Sequence, residues 1–135
     1  MIARRRLCSA ARSTSDEGSA VAEFALVSVL VCALALGVCQ VGFALYVRNT
    51  LASAAADGAR YGALADRDPA DGAARTREVI TQSLSSRWAS DVSARMATID
   101  GISTVEVTVH GTLPVLGVFG PAEGITVAGH AVAEQ

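Results

Sequence analysis

The chain has 135 residues, room for one small domain and an anchor, and its formal net charge of −2 argues against a basic nucleic-acid surface. Aromatic residues make up 4%, too few for a base-stacking platform, so no nucleic-acid partner is expected. The hydrophobic share of 51% and the mean hydropathy of +0.40 are high for a soluble domain, but the excess is local.

Residues 1–18 form a basic leader with Arg4, Arg5, Arg6 and Arg12, followed by Asp16-Glu17, and they read as unfolded. Gly18 is the last residue before helical periodicity begins. Phe24 to Val47 then carries no charge over 24 residues. As a helix this run is roughly 36 Å long, enough to cross a hydrocarbon core of ~30 Å with some tilt. The arginines before the span outnumber Arg48 after it, which predicts a cytoplasmic N-terminus and an extracytoplasmic C-terminus. A cleaved secretory signal has a shorter apolar region, and Ala52 to Ala54 is its best cleavage candidate here. Cys32 and Cys39 stand seven residues apart on one helix, roughly 10 Å along its axis, too far to bridge. They and Cys8 give no disulfide framework.

The helix is expected to continue past the membrane, from about 19 to 65. Ala52, Ala55, Ala56, Ala59 and Ala63 recur at helical spacing, and Asp57 and Arg60 suit an i, i+3 pair. Asp68 suits an N-cap, with Pro69 at the first helical position and Asp71 in the first turn. A second helix is therefore expected over about 69–90, reaching Trp88 or as far as Met96. Its stripe of Val79, Ile80, Leu84 and Trp88 is expected to cover the small-residue face from Ala52 to Ala63. Two strands follow, about 103–110 and 124–133. Val105, Val107 and Val109 alternate with Glu106, Thr108 and His110 in the first, and Ile125 and Val127 share a face in the second. Residues 111–123 read as a loop, apolar through Leu113, Val115, Leu116, Val118 and Phe119. The expected class is α+β and membrane-anchored. It divides into a leader (1–18), a long helix (19–65) and an extracytoplasmic domain (66–135).

Glu23 directly before Phe24 needs a reason, because a charge deep in a bilayer costs roughly 2.5–3.5 kcal/mol on insertion scales. A short basic leader, Gly18, Ser19, a Glu at the fifth position counted from Ser19 and a long apolar helix together resemble a class III, type IV pilin-like signal. The Glu23-Phe24 pair resembles the form in Flp-type pilins, and ALYVRNTLASAAADGARYGAL resembles the TadE-like family of the Tad (tight adherence) pilus system. The matching residues are Glu23-Phe24, Arg48 and Gly58-Ala59-Arg60, within about 18–65. The resemblance implies a minor pilin or pseudopilin, cut between Gly18 and Ser19 by a prepilin peptidase. It implies other pilin subunits, a Tad membrane platform and, indirectly, a secretion ATPase as partners, in the plasma (inner) membrane or later in a pilus. The new amine at Ser19 would be neutralised by Glu23 of a neighbouring subunit, fixing helix register.

Ser28, Cys32, Ala35, Cys39 and Gly42 follow 4-3-4-3 spacing, a candidate helix-packing seam. Ala33, Gly37 and Ala44 make a second small face, and Gln40 lies mid-span. No catalytic, cofactor or metal site is expected. His110 and His130 lie one on each predicted strand without a carboxylate cluster, and no phosphate loop is present. The expectation is a structural component, not an enzyme, with the lipid bilayer as partner and no small-molecule substrate. The rivals are a signal-anchored envelope protein outside any filament, and an envelope ligand-binding domain or enzyme.

Overall fold

The computed structural model describes residues 14–112 and 124–134. The basic arginines of the leader and the apolar loop from Leu113 to Phe119 lie outside those residues. The elements are helix α1 (Thr14–Gly62), helix α2 (Pro69–Ser83), a 3-10 turn (Ser86–Ala89), and strands β1 (Val92–Ile99), β2 (Ile102–Thr112) and β3 (Gly124–Val132). The class is α+β: a long apolar N-terminal helix, a second helix and an antiparallel sheet.

The structure divides into residues 1–39 and 40–135. In the first, the described residues belong to α1, and its apolar side chains are exposed from Val21 onward. α1 starts earlier than the sequence suggests, so Gly18 lies within it rather than before it.

In the second unit, α1 changes role at Val47, the first of a row of buried positions continued by Leu51, Ala54, Ala55, Ala59 and Ala63. Small side chains let other elements approach its backbone. Across it runs α2, begun by a full capping box: Asp68 Oδ1 accepts from the Asp71 amide at 2.9 Å, and Asp71 Oδ2 accepts from the Asp68 amide at 3.3 Å. Asp68→Ala should cost ~1 kcal/mol of stability, measured as a lower melting temperature of the full chain in detergent. The buried face of α2 is Gly72, Ala73, Thr76 and Ile80. Ile80 is the one member of the expected stripe at its centre, while Val79 and Leu84 are half-buried beside it.

α2 stops at Ser83, short of Trp88 and Met96. The Leu84 amide closes the last turn on the Ile80 carbonyl, and Ser85-Ser86 redirects the chain into the 3-10 turn. Leu84 leaves helical geometry (φ −123°, ψ −85°) and Ser85 is extended (φ −173°, ψ 163°), which ends the helix there. The turn seats Trp88, 4% exposed, against Gly111, which Leu51 also approaches.

The sheet has three strands in the order β1-β2-β3, not two. The added strand is β1, which contains Met96. It joins β2 through Asp100 and Gly101, both at positive φ (51° and 81°), the two-residue turn whose twist matches paired strands. Val92 pairs with Val109 and Val109 with Val127, so one face carries Val92, Val105, Val107, Val109 and Val127 into the core. Burying the Leu51 and Ile80 side chains completely contributes ~1.5–3 kcal/mol each. With one face packed on helices, the third strand makes the sheet a stable unit rather than a marginal hairpin.

Candidate functional site

At the start of the apolar run, one helical turn brings Ser19 and Glu23 together, with the serine hydroxyl 3.3 Å from Glu23 Oε1. Phe24 beside them is 75% exposed. Further along, Val27, Leu30, Leu34, Val38 and Val41 are all exposed. A surface this apolar is not finished in water; it needs lipid or other helices around it. The helix is long and apolar enough to cross a membrane, and none of its most apolar window is buried within the chain.

The candidate seam lies along this surface. Cys32, Ala35, Cys39 and Gly42 are exposed and Ser28 is half-buried. Both cysteines are free. Nothing lies within 4 Å of a side-chain carbon built on Gly37 or Gly42, so the alternative small face is equally open. Within one chain neither face is preferred.

The family-motif residues part company in the second unit. Arg48 and Arg60 are exposed, whereas Gly58 and Ala59 are buried. Gly58 lies where α1 meets α2. A side-chain carbon there would strike Thr76 Oγ1 and stand 2.5 Å from the Gly72 carbonyl oxygen. Gly72 approaches the Gly58 carbonyl in return, at 2.6 Å by the same construction. Thr76 seals the crossing by donating its hydroxyl to Gly72 O at 2.9 Å and, more weakly, to Ala54 O at 3.4 Å. Asp57 does not pair with Arg60. It takes Arg75 of α2 at 3.2 Å, and Arg75 also meets Glu78 at 3.2 Å. The Asp57 hydrogen bond, then that of Glu78, holds the Arg75 guanidinium above its ordinary pKa. The partner of Asp57 is thus delivered by α2, not by the next turn of α1.

Two features escape the sequence reading. Gly129 in β3 lies directly against the backbone of Ala55 and Ala56. A glycine inside a strand pattern signals such a close approach. The second feature is on the outer sheet face, where Arg95 donates to Glu106 Oε1 at 2.9 Å and His130 Nε2 stands 3.3 Å from Glu106 Oε2. His110 instead meets Thr126 Oγ1 at 2.9 Å, so the two histidines do not face each other. Among the described residues, no three His, Cys, Asp or Glu side chains are grouped to hold a metal.

The Arg95 hydrogen bond, opposed by partial desolvation and helped by His130, holds Glu106 below its ordinary pKa of 4.5. A carboxyl depressed on folding stabilises the fold fully above its ordinary pKa, and that contribution is lost as pH falls through the depressed value. Wild-type should therefore melt higher than Glu106→Gln at neutral pH, and the gap should close below pH 4.5. Thermal melts of both chains across that range check this.

Among the described residues, the fold is α+β, with one exposed helix long and apolar enough to cross a membrane. The family model for TadE-like protein matches residues 18–60, the stretch from Gly18 through Glu23 and Arg48 to Gly58-Ala59-Arg60. No curated protein and no solved structure matches the chain.

Proposed function

We propose that this chain is a Tad pilus-related component, specifically a minor pilin-like subunit whose apolar helix is both its anchor and its assembly element. The observation that carries the reading is the TadE-like match over residues 18–60, in which Gly18, Glu23 and the Gly58 crossing fall in one helix. α1 sits in the bilayer with Glu23 at its cytoplasmic entrance and the α+β domain outside. A prepilin peptidase cuts the Gly18–Ser19 bond. Because α1 begins at Thr14, that bond lies in its second turn, and cleavage requires that turn to unwind. Glycine in a helix interior costs ~1 kcal/mol relative to alanine, so Gly18 weakens the turn where it must open.

After cleavage, Ser19 carries a positive amine four residues from Glu23. Within one helix the two lie on the same face, and in a bundle that face can bring the amine of one subunit to the Glu23 carboxylate of the next, where a wrong register would leave a charge unpaired. Other pilin subunits and the Tad membrane platform are then the partners of the helix, and the outer domain supplies protein contacts.

Mass spectrometry of the mature N-terminus tests the reading. The expected start is Ser19, lost on Gly18→Ala and in cells without the peptidase. An intact leader in cells that assemble pili would leave a signal-anchored envelope protein as the better description.

A further inference from the structure

One groove of the second unit has no part in this reading. Phe43, Leu84, Ser85, Ser86, Arg87 and Trp88 line an open cavity of about 490 Å³. Phe43 stands one helical turn, ~6 Å, before Val47, the last residue of the uncharged run. The groove therefore lies at the level where an apolar helix passes from hydrocarbon to headgroups.

Its chemistry has two halves. Phe43 is 43% exposed and Leu84 half-buried, and with the edge of Trp88 they make an apolar floor. The rim is polar and cationic. Arg87 is exposed, its guanidinium carbon 5.6 Å from the centre of the Trp88 ring. Among the described residues no carboxylate lies within ion-pair distance of it. Ser85 Oγ, in the wall of the groove, is buried without a hydrogen-bond partner. An unpaired arginine over an apolar floor suits a phosphate that carries an alkyl chain. A free anion would gain nothing from Phe43 and Leu84.

We propose that this groove binds an anionic phospholipid of the leaflet facing the α+β domain. The headgroup phosphate meets Arg87 and the serine hydroxyls, and the upper acyl chain lies along Phe43 and Leu84. The proposal rests on α1 crossing the membrane. Arginine and tryptophan are favoured at this depth because each has an apolar body and a polar end.

Trp88 is the only tryptophan, so its fluorescence reports on the groove directly. The full chain is reconstituted in phosphatidylcholine vesicles containing phosphatidylglycerol, with bromine placed high on the acyl chains of one lipid at a time. Brominated phosphatidylglycerol should associate with Trp88 about fivefold better than brominated phosphatidylcholine, the factor expected for one arginine at an anionic surface. Arg87→Gln should bring that ratio near one, and Arg87→Lys should keep most of it. Inorganic phosphate added to the chain in maltoside micelles should leave the fluorescence unchanged.

A ratio that is the same in wild-type and Arg87→Gln overturns the proposal. So does a Trp88 that neither bromolipid quenches in a chain that floats with the vesicles, as a protein partner covering the groove would cause. Full reproduction of the effect by phosphate alone would reassign the groove to a free anion and overturn it too. A chain that fails to float with vesicles overturns the membrane span itself, which separates the two failures.

Discussion

Glu23→Ala is expected to abolish pilus assembly while leaving the chain inserted in the membrane. The helix keeps its length and gains hydropathy, so insertion does not suffer. Assembly does, because in a helix bundle the Ser19 amine of one subunit would face a neighbour without its carboxylate. Removing one partner of a buried ion pair costs ~3–5 kcal/mol, since the remaining charge stays buried and unpaired. At that cost per contact, association falls by roughly two to four orders of magnitude. Glu23→Gln should fail similarly, because it keeps the shape and loses the charge. Electron microscopy of pili and flotation of the membrane fraction read the two outcomes separately. Normal pili in both variants would refute charge pairing as the basis of register.

Gly58→Ala is expected to have the largest effect on the folded domain. The new carbon would strike Thr76 Oγ1 and crowd the Gly72 carbonyl, and neither neighbour is the far end of a flexible side chain. Thr76 is fully buried and bonded to Gly72 O and Ala54 O. Relief therefore requires α1 and α2 to separate, which exposes Ala54, Ala73 and Ile80. Overpacking of this kind costs ~1–3 kcal/mol and occasionally more. For a domain of this size each kcal/mol lowers the melting temperature by about 4–8 °C. Gly42→Ala is the control, because nothing lies within 4 Å of its added carbon. Circular dichroism melts in detergent compare the two; equal melting of Gly58→Ala and wild-type would show that the crossing is looser than described. Glu23→Ala should melt like wild-type, so loss of assembly and loss of folding remain distinguishable.

Gly58 and Glu23 lie within the same TadE-like match and do different work. In the proposed reading Glu23 acts on what surrounds the helix. Gly58 and Ala59 matter for what the helix carries, since they admit α2 to the backbone of α1. The resemblance to the TadE-like family marks both as motif residues. The crossing at Gly72 and Thr76 gives Gly58 its physical reason, and it leaves Arg60 exposed with no role in the packing.

Much of the architecture was legible in one dimension because its causes are local. An uncharged run of 24 residues specifies an apolar helix by length and composition alone. Asp68-Pro69 and Asp71 specify a helix start through hydrogen bonds within one turn, and the capping box forms as expected. Alternation at Val105, Val107 and Val109 specifies a half-buried strand, and all three are buried. The first strand was missed although Asp100-Gly101 between Ile99 and Ile102 is a strong hairpin signal. Alanine, arginine and methionine in VSARMATI favour helix locally, and pairing with β2 overrides them.

The sequence by itself determined the apolar helix, the cap at Asp68 and the buried face of β2, because each depends on residues within a few positions of one another. Only the tertiary structure decided which partner Asp57 takes, where α2 ends and why Gly58, Gly72 and Gly129 carry no side chain. Those depend on backbones that meet across tens of residues, and a close approach in space leaves no period in the sequence.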